Sequence, residues 1–219
     1  MSKKGFIFDL DGVIVDTAKY HFLAWRNLAL SIGVDFTEKQ NEQLKGISRV
    51  NSLNKILAWG KKEISRDEFT RLMDAKNDDY LQYVEHMGQD EILPDVERVL
   101  NYLTDKKQGV GLGSASKNAS LILEKVKLLN LFEALIDGND VVNGKPDPEV
   151  FLKAANDLKI EPKDCIVFED SVAGIQAANT AGMFSIGIGE SDILHEADVV
   201  FRDFTEMSED FLRKLIENY

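Results

Sequence analysis

Two aspartates, Asp9 and Asp11, stand one residue apart directly after the apolar run Phe6-Ile7-Phe8, and Gly12 follows at once. The run has the pattern of a strand buried on both faces of a parallel sheet. Its acids would then sit at the strand's carboxyl end, where open α/β sheets bind ligands. Carboxylates this close repel unless a shared proton, a divalent cation or a salt bridge compensates them. A bare Asp-x-Asp fits a solvated strand end, but its position after a fully apolar strand favours a site. Three further clusters fall where other strands give way to helices. Ser114-Ala115-Ser116-Lys117-Asn118 would gather hydroxyls, N–H groups and a lysine at a helix start, an anion site; Ser116 read alone could be an ordinary N-cap. Lys145 precedes a helix in the turn Asn143-Gly144-Lys145-Pro146-Asp147, where a lone lysine is ordinarily solvated. Glu169-Asp170 ends the apolar run Cys165-Ile166-Val167-Phe168. Acids at a helix start can simply favour its dipole, but here they appear at two strand ends of one sheet.

Together these residues describe one constellation. Asp9, Asp11, Glu169 and Asp170 surround a cation, while Lys145 and Ser114 face a phosphate. Hard oxygen ligands beside a phosphate point to Mg²⁺. A carboxylate nucleophile would split phosphoryl transfer into two steps through an acyl phosphate. The cation and Lys145 would remove the repulsion between the two anions.

The elements that must position these groups alternate strand and helix. Strands are expected at 6–8, 109–113, 134–136, 164–168, 184–188 and 199–201, and helices at 95–106, 118–129, 148–158, 172–181 and 209–217. The fold class is therefore α/β, a Rossmann-like core with a parallel sheet between helices. Residues 18–87 read as helix alone, at 18–32, 38–44, 52–59, 66–73 and 79–87. Such a block after the first strand is expected to be an inserted helical cap, residues 16–93, on a core of 1–15 and 94–219. The joints fall near 15–17 and 91–95.

Composition narrows the partners. With 219 residues, 44% apolar and 29% charged, the chain can bury a sizeable core. A net charge of −12 weighs against nucleic acid or an anionic membrane surface. A single cysteine, Cys165, excludes an internal disulfide and a cysteine-rich metal site, and its apolar surroundings make it a core residue. Asp9 and Asp11 interrupt the first apolar run too early for a signal peptide, and no segment is long and apolar enough to span a bilayer. A cytoplasmic monomer acting on a small phosphorylated sugar is the expectation, with neither nucleic acid nor membrane as partner.

Asp9-Leu10-Asp11-Gly12-Val13-Ile14-Val15-Asp16-Thr17 resembles the first motif of the haloacid dehalogenase superfamily, and Ser114, Lys145 and Glu169-Asp170 match its other motifs in order. The resemblance implies that Asp9 is a nucleophile that becomes an aspartyl phosphate and that Asp11 is the general acid/base. It also implies Mg²⁺ held by Asp9, the Asp11 backbone carbonyl and Asp170, with Glu169 assisting. Gln43-Leu44-Lys45-Gly46-Ile47-Ser48-Arg49-Val50-Asn51-Ser52-Leu53, the stretch from Thr17 through His21 to Trp25, Ala75-Lys76-Asn77 and the whole Ser114–Asn118 loop are similar to signatures of the β-phosphoglucomutases. That family interconverts β-glucose 1-phosphate and glucose 6-phosphate through β-glucose 1,6-bisphosphate, which is also its activator.

By the same resemblance, Arg49 with Ser116, Lys117 and Asn118 grips the non-reacting phosphate, a task that suits the guanidinium fork. Lys45 and Gly46 contact the sugar region, His21 and Lys76 place Asp11, and Thr17 lies at the hinge. Trp25, Ser52 and Ala115 complete the substrate-binding set. Read without the resemblance, His21 and Trp25, four apart on a helix, are packing residues, and Arg49 and Lys76 are surface charges. Ala75 stands where a basic residue is expected in such relatives. Two rivals remain open. A sugar-phosphate phosphatase would share every core motif; a phospho-accepting receiver would be shorter, without a cap and with a later acceptor aspartate.

Overall fold

In a computed structural model describing residues 3–218, β1 (Gly5–Phe8) is followed by α1 (Ala18–Ser31), α2 (Glu38–Glu42), α3 (Arg49–Trp59) and α4 (Arg66–Val84). Then come α5 (Val96–Asp105), β2 (Gly109–Gly113), α6 (Ala119–Lys125), β3 (Ala134–Ile136), α7 (Glu149–Leu158), β4 (Cys165–Glu169) and α8 (Val172–Thr180). The chain closes with β5 (Phe184–Ile188), β6 (Val199–Phe201) and α9 (Glu209–Asn218). Residues 1, 2 and 219, the ends of the expected core segments, lie outside the described residues. All strands pair parallel in the order β3-β2-β1-β4-β5-β6.

Period-two alternation sends the strand side chains to two apolar layers. Phe6, Phe8, Ile166 and Phe168 pack with α5, α6 and α9 on one face. Ile7 and Val167 pack with α7 and α8 on the other, together with the buried Cys165. Phe8 and Phe168 stack at 4.5 Å between ring centroids, locking β1 to β4 beneath the site. The four helices inserted after β1 have an apolar core of their own, built on Trp25, Leu28, Phe36, Leu53, Ile56 and Leu72. Tyr80, Val84 and Met87 join the base of that insertion to the sheet's core. The two connecting segments bond to each other: Asp16 N donates to Glu91 O at 2.9 Å and Leu93 N to Ile14 O at 3.0 Å.

Three helices differ from expectation. The segments expected at 66–73 and 79–87 are one helix, because Leu72, Lys76, Tyr80 and Val84 all lie buried at a spacing of four with no breaker between them. The polar run 74–79 merely turns outward around the buried Lys76. Helix α3 starts at Arg49 and not at 52, since Ser48 Oγ accepts from Asn51 N at 3.3 Å and caps it. Helix α6 ends at Lys125 and not at 129, where Lys127 takes a left-handed φ of 61°.

Candidate active site

Register brings the acids together. Phe8 pairs with Phe168 and with Leu112, so Asp9 follows directly beside Glu169 and Gly113. This is the point where strand order reverses, the switch point at which doubly wound sheets bind ligands. Past Asp9 the chain folds back on itself. Ile14 N and Val15 N both donate to Leu10 O, at 2.9 and 3.2 Å, and Gly12 takes a φ of 83° against Asp170.

Lys145 is buried and donates from Nζ to Asp9 Oδ1 and to Glu169 Oε2, each at 2.7 Å. The other Glu169 oxygen accepts from Ser171 N at 3.1 Å and from Ser171 Oγ at 2.7 Å. Asp170 accepts no hydrogen bond among the described residues, and Lys45 Nζ stands 3.8 Å from it. Burial, with the charge of Glu169 added, pushes the Asp9 carboxyl up to about 7, although Lys145 pulls the other way. Burial, with the charges of Glu169 and Asp9 added, also drives the Asp170 carboxyl well above its ordinary value. For Lys145, burial is outweighed by the charges of Asp9 and Glu169, which hold the ammonium protonated. Oxygens of Asp9, Glu169 and Asp170 lie within 4.8 Å of one another with one buried lysine among them. Once Asp9 and Asp170 release their protons, three carboxylates against one ammonium leave net negative charge, and an oxygen-only donor set of that charge fits a hard divalent cation such as Mg²⁺.

Asp11 sits in different surroundings. Thr17 Oγ1 donates to Asp11 Oδ1, and His21 Nε2 lies 3.7 Å from the same oxygen. Lys76 Nζ is 3.0 Å from His21 Nδ1, so the lysine donates there and the ring presents Nε2–H toward Asp11. Lys76 lies between aromatic faces, 4.8 Å from the Trp25 ring centre and 4.5 Å from that of Tyr80. Burial works to raise the Asp11 carboxyl, but His21 and the Thr17 hydroxyl overcome it and hold the group below its ordinary value. Burial, then the charge of Arg49, lowers Lys76 to about 7. Burial likewise lowers His21.

The loop after β2 is tied down before it meets any ligand. Ser116 N donates to Ser114 Oγ at 3.1 Å, and Asn118 N to Ser116 Oγ at 3.3 Å. Gly138 N donates to Ser116 O at 3.1 Å. Arg49 Nη2 and Asn118 Nδ2 donate to the same acceptor, Asn77 Oδ1, at 2.7 and 3.0 Å.

One cleft between the inserted helices and the sheet edge gathers every expected substrate contact: Trp25, Lys45, Gly46, Arg49, Ser52, Lys76 and the stretch from Ala115 to Asn118. Asp9, Asp11, His21 and Asp170 line it too. Thr17, Ser114, Lys145 and Glu169 are buried outside that lining. Sequence reasoning did not single out Asn41, buried with its amide unbonded among the described residues and lining the same cleft. Nothing in its local sequence marks it. Asn77 was legible only as the neighbour of Lys76, and Ser171 only by its place between Glu169-Asp170 and the helix that follows.

Comparison with known proteins agrees with this geometry. The haloacid dehalogenase-like hydrolase family matches residues 3–182. The chain is 41% identical over 218 residues to a β-phosphoglucomutase of Bacillus subtilis, covering 99% of this chain and 96% of that one. It is 30% identical over 186 residues to a fructose-1-phosphate phosphatase of Escherichia coli, covering 84% of this chain and 95% of the other. A crystal structure of β-phosphoglucomutase from Clostridium difficile superposes with a TM-score of 0.95 at 40% identity, over 100% of this chain and 99% of that one.

Proposed function

Because the chain belongs to the haloacid dehalogenase-like hydrolase family, we propose that it is a Mg²⁺-dependent β-phosphoglucomutase, interconverting β-glucose 1-phosphate and glucose 6-phosphate through β-glucose 1,6-bisphosphate. The observation that carries this reading is a single cleft lined both by the paired acids Asp9 and Asp11 and by Arg49, Lys117 and Asn118. A mutase must hold two phosphates at once, one reacting and one not; a phosphatase needs only the first.

In the phosphorylated enzyme, the 6-hydroxyl of β-glucose 1-phosphate attacks the phosphorus carried on Asp9. The new P–O6 bond forms, the bond to the Asp9 oxygen breaks, and the hydroxyl proton passes to Asp11. An Asp11 held below its ordinary value is ionised at neutral pH and ready for that proton. The bisphosphate then turns over in the cleft. Asp9 attacks the 1-phosphate, the P–O1 bond breaks, and Asp11 returns its proton to O1, releasing glucose 6-phosphate. Lys145 holds Asp9 in line and offsets negative charge at the transferring oxygens. Arg49, Ser116, Lys117 and Asn118 grip the phosphate that is not reacting, while Lys45, Gly46, Trp25, Ser52 and Ala115 surround the sugar. His21 and Lys76 orient Asp11. Asp9, the Asp11 carbonyl and Asp170, with Glu169 assisting, would hold Mg²⁺, which supplies positive charge against the phosphoryl oxygens. Residues 16–93 act as a cap that closes on the core formed by 1–15 and 94–219, hinged near Thr17, and so keeps water from the aspartyl phosphate.

The test follows glucose 6-phosphate and free phosphate in one tube holding enzyme, Mg²⁺, β-glucose 1-phosphate and a trace of the 1,6-bisphosphate. Rapid glucose 6-phosphate with little free phosphate is expected. Free phosphate appearing in step with substrate loss would instead mean a phosphatase.

A further inference from the structure

We propose that Asn77 is a positioning residue for the non-reacting phosphate, its side-chain carbonyl tying Arg49 of the inserted helices to Asn118 of the sheet-edge loop across the cleft. This rests on the reading of Arg49 and Asn118 as donors to that phosphate.

The three residues come from three separate elements. Arg49 is the first residue of α3, Asn118 immediately precedes α6, and Asn77 lies in the second half of α4. Their bonds converge on one oxygen: 2.7 Å from Arg49 Nη2 and 3.0 Å from Asn118 Nδ2. A carbonyl oxygen has two lone pairs, so both are used. The donors are not used up. A guanidinium carries five N–H groups and an amide nitrogen two, so each partner keeps hydrogens to turn toward an anion. Arginine is flexible, and binding a ligand ordinarily requires freezing its rotamers. With Asn77 holding Nη2, that ordering precedes the ligand. Placement on α4 adds a second link, because the preceding residue, Lys76, bonds His21 beside Asp11. One helix thus supports the acid/base end of the cleft through Lys76 and its phosphate-gripping end through Asn77.

A purely structural tie would affect stability and turnover without singling out substrate affinity. A positioning role instead appears in KM, through the two donors that Asn77 holds, Arg49 and Asn118. Replacing Asn77→Ala is expected to raise KM for β-glucose 1-phosphate on the order of tenfold, the scale of one lost hydrogen bond to a charged group. Turnover at saturation should stay within about twofold. Phosphorylation of Asp9 by acetyl phosphate, a small donor, serves as the control that the variant is folded. Asn77→Asp keeps an acceptor for Arg49 but places negative charge beside the phosphate, so KM should rise further and the excess should shrink with added salt. In an Arg49→Ala background, Asn77→Ala should raise KM by a smaller factor than it does alone, because the part of its effect that passes through Arg49 is already lost and only the hold on Asn118 remains. An unchanged KM in Asn77→Ala, with Arg49→Ala impaired, overturns the role of Asn77 alone. The same factor appearing on top of Arg49→Ala also overturns it. An unchanged KM in Arg49→Ala itself would remove the phosphate reading first, and this inference with it.

Discussion

Replacing Lys145→Met tests the charge arrangement at the centre of the site. The ammonium lies at 2.7 Å from both Asp9 Oδ1 and Glu169 Oε2, and the lysine is 1% exposed. Methionine keeps the chain length and removes the charge, leaving Asp9 and Glu169, its two former partners, with oxygens within 4.8 Å of each other and of Asp170. At an effective dielectric of about 20, two unit charges no farther apart than that would repel by at least about 3.5 kcal/mol, so in the variant Asp9 holds its proton to higher pH. Breaking a buried ion pair by removing one partner generally costs about 3–5 kcal/mol, and a loss in that range is expected at pH 8. The pH dependence follows from Asp9, which burial already holds near 7 in the native chain. Without Lys145 its folded value rises further above the unfolded one, so the variant's folded state keeps a proton that the native chain has released. The gap therefore stays flat below pH 7 and widens by about 1.4 kcal/mol per pH unit above it, until the variant's own acid ionises. Urea unfolding followed by tryptophan fluorescence, in chelator so that no divalent cation intervenes, measures it. A loss under about 1 kcal/mol, or one that does not change between pH 6 and 8, would refute the reasoning.

Other perturbations separate the remaining parts of the site. Gly46 has a φ of 71°, and a Cβ there would lie 2.1 Å from Ser171 Oγ; Gly46→Ala should keep the cap from seating and lower kcat/KM on the order of a hundredfold. Unchanged kcat/KM would mean that this contact is not needed for turnover. Lys76 is lowered to about 7, so between pH 7 and about 10 the unfolded chain binds a proton that the folded one does not. Native stability should therefore rise over that window relative to Lys76→Met; a native advantage that falls as pH rises would contradict the assignment. The Asn41 amide bonds to nothing among the described residues, so Asn41→Leu should leave unfolding stability within about 1 kcal/mol or raise it. A larger loss in denaturant titration would show a partner for that amide.

Much of the molecule follows from local pattern. Unbroken apolar runs at Phe6–Phe8 and Ile166–Phe168, ended by acids, identified both the central strands and the ends at which chemistry would sit. That works because a parallel sheet buries both faces of its inner strands, leaving polar residues only where the strand stops. Local pattern failed where burial was decided by another element. The stretch Asp74–Asp79 looked like a break between helices, yet Lys76 is buried there because Trp25 and Tyr80 cover it and His21 accepts its hydrogen bond. Strand order and register, unreadable from spacing, brought Lys145 within one hydrogen bond of both Asp9, 136 residues away, and Glu169. Asn77 gave no sign of its own, since its two partners come from α3 and from the loop before α6. Residue types and short spacings determined which groups could do chemistry. Only the tertiary structure decided which of them share a proton, a cation or an acceptor, because electrostatic and hydrogen-bond energies depend on separations of a few ångströms that chain distance does not encode.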